Sequence, residues 1–227
     1  LPPDRPSLLL DLDGTLTDPR DGIVGSIRHA LEALGAPAPP DADLARYIGP
    51  PLSHAFAELL GCARDAAHVV TAIERYRERF DARGWRENRV YAGVPELLDA
   101  ARDAGWRCLV ATSKPRVFAE RIAAHFGLGE RLDGVYGSEL DGRLNEKPEL
   151  LAHILTMEKL DARCSVMVGD RRHDVAGARA NRVASVGVLW GYGSREELAG
   201  AGADALCEEP GELLALASSL LSSRGSA

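Results

Sequence analysis

Apolar positions along the chain fall into two patterns. Short apolar runs at 8–12, 108–111, 134–136, 165–168 and 184–189 are bounded by turn or polar residues. They lack the alternation of a half-exposed strand, so they suit strands buried on both faces and hence a parallel sheet. Alanine-rich stretches with helix start and stop signals lie between them. Residues 93–104 carry Pro95 near a first turn and stop at Gly105, and 115–126 open on Pro115 and close at Gly127. Further helices are predicted over 147–160, 174–182 and 211–220, with 222–227 a frayed tail. This alternation predicts a doubly wound, mainly parallel α/β sheet, a Rossmann-like core.

The interval 19–88 breaks the alternation. It holds no convincing strand, and its apolar residues sit at helical spacing: Ile23, Ile27, Ala30, Leu31 and Leu34, then Val69, Val70, Ile73, Tyr76 and Phe80. The densely charged run 74–86 reads as the solvated face of a helix. Prolines at 37, 39 and 40, and Gly49-Pro50-Pro51, punctuate the interval. The prediction is a small all-helical cap, 19–88, inserted into a core built from 1–18 and 89–227. Hinges are expected near 17–21 and 88–93.

Composition narrows the function classes. The chain has 227 residues, 45% hydrophobic and 27% charged, which excludes bulk disorder and fibrous classes. A net charge of −7 argues against a nucleic-acid groove or an anionic membrane surface, but leaves room for a small anionic substrate. No apolar run approaches the roughly 18–20 residues that span a bilayer. Residues 1–7 are Pro-rich and carry Asp4 and Arg5, unlike a secretory signal. The cysteines are scattered without a C-x-x-C pair, against a zinc site. The expectation is a cytoplasmic monomer or homodimer with no nucleic acid or membrane partner.

Chemistry is concentrated where the apolar runs end. The first ends in Asp11-Leu12-Asp13-Gly14-Thr15, and Val166-Met167-Val168-Gly169 runs into Asp170, with Asp174 four residues on. Ligands of open α/β sheets bind at the carboxyl ends of strands. Gly14 permits a sharp turn that could aim backbone N–H groups at an anion. Carboxylates gathered there repel by on the order of 4 kcal/mol at about 4 Å and an effective dielectric of about 20. Either one is protonated or a cation sits between them, and oxygen ligands alone favour Mg²⁺. Thr112 and Ser113 end another run just before Pro115, where hydroxyls and a helix start could cradle an anion. Lysine occurs only at 114, 147 and 159. Lys147 opens a predicted helix, where it opposes the macrodipole, so an anion facing it would explain its presence. Each feature also has a plain structural reading: an Asx turn, an N-cap or a solvated lysine.

Together, D-L-D-G-T-L-T (11–17), A-T-S-K (111–114), K-P (147–148) and G-D-R-R-H-D (169–174) resemble the haloacid dehalogenase-like hydrolases, more narrowly their phosphoglycolate phosphatase-like branch. Residues 48–52 resemble that branch's cap loop, and 187–194 also resemble it. The resemblance implies a Mg²⁺-dependent phosphatase acting on a small phosphorylated metabolite such as phosphoglycolate, a nucleotide or a sugar phosphate. Asp11 would become a phospho-aspartate, and Asp13 would serve as acid and base. Asp11, the carbonyl of Asp13, Asp170 and Asp174 would attend the metal. Gly14, Thr112, Ser113 and Lys147 would hold phosphate, while Lys114 would face away. In the cap, Arg46, Tyr47, Gly49 and His54 are candidate substrate contacts. One departure is that Lys147-Pro148 lacks the second proline of the branch's K-P-x-P, which weakens the case for phosphoglycolate itself. A phosphomutase shares the same machinery. A receiver-like phospho-accepting module is the more distant alternative, since such modules have no insertion.

Overall fold

Strand β1 (Ser7–Leu10) is buried at every position, and the computed structural model, which describes residues 5–224, explains why. The strand has a parallel neighbour on each side, so Leu8 pairs with Cys108 and Val166, and Leu10 with Val110 and Val168. Next come β2 (Thr17–Asp18), then helices α1 (Arg20–Ala33), α2 (Asp41–Leu44), α3 (Leu52–Leu60) and α4 (Ala67–Ala82). β3 (Arg89–Val90) pairs with β2 in a separate two-stranded ribbon. The remainder alternates: α5 (Val94–Asp103), β4 (Arg107–Pro115), α6 (Arg116–His125), β5 (Gly134–Ser138), α7 (Lys147–Met157), β6 (Ser165–Gly169), α8 (Arg172–Ala180), β7 (Ala184–Val188), α9 (Arg195–Ala201), β8 (Ala205–Cys207) and α10 (Leu213–Arg224).

The main sheet runs β5-β4-β1-β6-β7-β8, with parallel pairing throughout. Successive crossovers move outward from β1 to β5, then return to its other side at β6. This reversal opens a crevice at the carboxyl ends of β1 and β6, the place such sheets bind ligands. One side of the core packs Leu9, Leu109 and Met167 from the strands against Leu150, Leu151 and Ile154 of α7.

Several elements differ from the sequence expectation. β4 continues to Pro115 instead of stopping at Ala111. Proline disfavours the helical region for the residue before it, so Lys114 stays extended and α6 waits until Arg116. α9 and the three-residue edge strand β8 were not anticipated. α9 did announce itself: Ser194 caps it, its hydroxyl accepting the Glu197 N–H at 3.1 Å in an S-x-x-E pattern. α10 absorbs 222–224 of the expected tail, whose remainder lies outside the described residues. No helix among the described residues is long and apolar enough to cross a membrane.

The chain divides into two compact units, crossing after Asp18 and again before Val90. In the unit spanning Pro19–Arg89, α4 buries Val69, Ala72, Tyr76 and Phe80. Val70, placed on the apolar stripe by spacing alone, is 50% exposed. Tyr76 stacks on Phe80 at 5.5 Å and meets Phe56 of α3 edge-on at 6.3 Å. The charged run is not wholly solvated. Arg79 turns inward, 2.9 Å from Glu87 and donating to the Ser26 hydroxyl at 3.1 Å.

Candidate active site

β1 delivers Asp11 to the crevice, and its ladder runs one residue further because the Asp11 N–H donates to the Val168 carbonyl at 2.8 Å. β6 ends beside it and delivers Asp170, and Asp174 follows in the first turn of α8. Asp11, Asp170 and Asp174 are all buried, and each offers a carboxylate oxygen within 4.8 Å of the others. Lys147, at the start of α7, reaches into the group. Its Nζ lies 2.9 Å from Asp11 Oδ1 and 2.5 Å from Asp174 Oδ1, and donates to the Ala111 carbonyl at 2.8 Å. This buried lysine opposes its own helix dipole because its partners are carboxylates from two other elements.

Asp13 stands apart from the three. Its Oδ2 is 2.6 Å from Lys114 Nζ, and both side chains are buried. This corrects the expectation that Lys114 faces away, made for a run ending in Thr112 and Ser113 and a helix opening at Pro115. On a strand carried to Pro115, Lys114 comes in beside Asp13. The scarcity of lysine was the signal available, since Lys114 and Lys147 are both in the site.

Glycines make the crowding possible. Gly14 has φ +85°, and a Cβ there would come 2.2 Å from Asp170 Oδ2. Its N–H donates to the Thr17 carbonyl at 2.7 Å and is not aimed at an open anion site, so the glycine's contribution is turn geometry and space. A Cβ on Gly191 would meet the Gly14 carbonyl at 2.3 Å and Asp170 Cβ at 2.4 Å. The loop bearing Gly191 also supplies a contact that sequence reasoning missed. The Tyr192 N–H donates to Asp170 Oδ2 at 2.7 Å, and the Trp190 indole donates to the Thr15 carbonyl at 3.0 Å. The phenol of Tyr192 bonds Asp18.

Thr112 is buried, its hydroxyl accepting the Lys114 N–H at 3.3 Å. Ser113 is half-buried, and its carbonyl accepts the Ser138 hydroxyl at 2.8 Å. Thr112 and Ser113 lie near the end of β4, and α6 begins three residues beyond Ser113, at Arg116. Four other candidates lie within the inserted unit. Arg46 stacks 4.8 Å over the Tyr47 ring, donates to its hydroxyl at 2.6 Å and pairs with Glu58. Tyr47 is buried, Gly49 has φ +102°, and His54 is half-buried on α3.

Electrostatics follows from the crowding. Burial, then the charges of Asp11 and Asp174, pushes the Asp170 carboxyl well above its ordinary range. Burial raises Asp13 against the opposing pull of Lys114. Asp174 is pushed up to about 6 by burial and by Asp11, with Lys147 pulling the other way. Burial disfavours the Lys147 ammonium, but Asp11 and Asp174 outweigh it and hold its pKa above the usual lysine value.

A divalent cation fits this donor set. Ionised, the four carboxylates exceed the two ammonium groups by two charges. Asp170 Oδ1 is buried and accepts no hydrogen bond. All the side-chain donors in the cluster are carboxylate oxygens, the chemistry of a hard ion such as Mg²⁺.

Comparison with known proteins agrees with this geometry. A family model described as haloacid dehalogenase-like hydrolase matches residues 8–188. A 5'-nucleotidase of Pseudomonas aeruginosa is 49% identical over 193 residues, covering 85% of this chain and 86% of that protein. The tyrosine-protein kinase PtkA of Mycobacterium tuberculosis is 44% identical over 194 residues, 85% of this chain and 65% of that protein. A phosphoglycolate phosphatase of Cupriavidus necator is 33% identical over 212 residues, 92% of each. The crystal structure of a predicted phosphatase from Clostridium acetobutylicum superposes with a TM-score of 0.88 at 36% identity, covering 96% of this chain and 99% of that one. With its ordered motifs, its parallel sheet and its acidic crevice, the chain belongs to the haloacid dehalogenase-like hydrolases.

Proposed function

We propose that the protein is a Mg²⁺-dependent phosphatase that hydrolyses a small phosphorylated metabolite through a phospho-aspartate at Asp11. The single observation that carries this reading is the gathering of buried Asp11, Asp170 and Asp174 with Lys147 at the crevice beside β1. Asp11 is the nucleophile because it is the carboxylate fixed at the tip of β1. Asp13 gives a proton to the leaving oxygen and later takes one from the attacking water. Lys147 steadies Asp11 and offsets charge on the phosphoryl oxygens, with Thr112, Ser113 and the nearby backbone as further donors. Asp11, Asp170 and Asp174, with the Asp13 carbonyl, would hold Mg²⁺. When bound, the ion supplies charge neutralisation for the phosphoryl group and its attacking carboxylate.

The nucleotidase relative makes nucleoside 5'-monophosphates the first substrate class to try, ahead of phosphoglycolate and sugar phosphates. Arg46, Tyr47, Gly49 and His54 are proposed to tune that choice. Phosphate release is to be measured over such a panel with Mg²⁺ and with chelator. Release that needs Mg²⁺ and falls at least about 10³-fold in Asp11→Asn is expected, the scale set by losing the group that forms the covalent intermediate. An Asp11→Asn protein as active as the parent would remove the proposal.

A further inference from the structure

Lys114 has no part in the chemistry above, yet it is held in the site as firmly as Lys147. Its side chain is 6% exposed, with Nζ 2.6 Å from Asp13 Oδ2. Its backbone is fixed from β5. The Ser138 hydroxyl grips the Ser113 carbonyl at 2.8 Å, and Gly137 leaves the space in which a Cβ would meet the Lys114 carbonyl at 2.4 Å. Asp13 Oδ1, in contrast, is buried and accepts no hydrogen bond. The two oxygens of one carboxylate are therefore unequal: one is anchored and the other has no hydrogen-bond partner.

We infer that Lys114 is a positioning residue that anchors Asp13 by one oxygen, so that the other meets the leaving group of a phosphomonoester. The inference rests on the phosphatase reading. An oxygen of Asp11 bonds to phosphorus as the bond from phosphorus to the leaving oxygen breaks. That bonding pair stays on the leaving oxygen, which takes the proton carried on Asp13 Oδ1. Water then attacks the phospho-aspartate, giving its proton to Asp13 as Asp11 departs as a carboxylate. Lys114 acts through the orientation of Asp13.

Leaving-group dependence tests this. Phenyl phosphate needs a proton at its departing oxygen, and dinitrophenyl phosphate does not. In Lys114→Met, kcat/KM for phenyl phosphate should fall about 10²-fold, the scale of lost general acid catalysis, and that for dinitrophenyl phosphate by less than about 3-fold. Because Lys114→Met strands a buried carboxylate, the same question is also put to a site with both charges removed. Adding Lys114→Met to Asp13→Asn should cost nothing further on phenyl phosphate, since the residue it acts through is already disabled. Equal losses on both esters in the single variant overturn the inference, as does a further tenfold loss in the double variant. A parent protein inactive on both esters overturns the phosphatase reading itself, and this inference with it.

Discussion

Asp170 is the residue on which most of the site converges. It takes a backbone N–H from Tyr192, is closed in by Gly14 and Gly191, and shares its crevice with Asp11 and Asp174. A methyl group on Gly191 has no room, so Gly191→Ala must push the loop or the carboxylate aside. Displacements approaching an ångström cost about 10²-fold in rate, and overpacking costs about 1–3 kcal/mol. Turnover should drop on that scale, and calorimetric Mg²⁺ affinity should weaken with it; unchanged affinity would show that Gly191 does not shape the cluster. Asp11, Asp13 and Asp170 were legible in the sequence because they follow the ends of apolar runs, which parallel strands bring together, and Asp174 because it lies one helical turn beyond Asp170. Lys147 was legible because it opposes its helix dipole. Lys114 was misread because its direction depends on where β4 stops, and Pro115 looked like a helix start when it prolongs the strand. The role of Gly14 was misread because its N–H is spent on Thr17, a pairing that spacing does not reveal.

At the scale of elements, β4, β5 and α7 meet in a polar joint. Arg107 lies under the end of α7, donating to the Glu158 carbonyl at 3.2 Å and pairing with the Glu158 carboxylate, which also accepts the Tyr136 hydroxyl. The Tyr136 hydrogen bond, helped by Arg107 and opposed by burial, holds the Glu158 carboxyl below its ordinary value of 4.5. A carboxyl lowered by folding stabilises above its unfolded pKa, and the benefit fades as pH falls through the folded one. The stability difference between the parent and Glu158→Gln in urea melts should thus be full near neutrality and shrink below about pH 4.5. A difference that is constant with pH would exclude the linkage. The buried strands and longer helices were readable from short apolar runs and Pro-in, Gly-out signals. β8 was not, because a three-residue edge strand carries too few positions to form a pattern. α4 shows the limit of spacing: Val69 and Val70 are chemically equal, and only the direction of packing buries the first.

For the whole molecule, the proposed ion would relieve repulsion among the buried carboxylates. Mg²⁺ that binds only the folded chain adds about 2.7 kcal/mol at a hundredfold excess over its Kd, or roughly 5–10 °C in Tm for a chain of this size. That shift should appear in thermal melts of the parent and vanish in Asp170→Asn. In chelator, Asp170→Asn should melt no lower than the parent, since it loses a repelling charge; a marked drop would mean the cluster is not strained without metal. The sheet has a separate consequence for how activity is lost. β1 lies inside the sheet with a hydrogen-bonded ladder on each flank, whereas β8 has one. Amide protons of residues 8–10 should exchange with solvent only through global unfolding, and those of β8 through local fraying. The same ladder carries on through the Asp11 amide to Val168. Asp11 therefore keeps its aim as the margins loosen, and heating should extinguish turnover and native structure at one temperature.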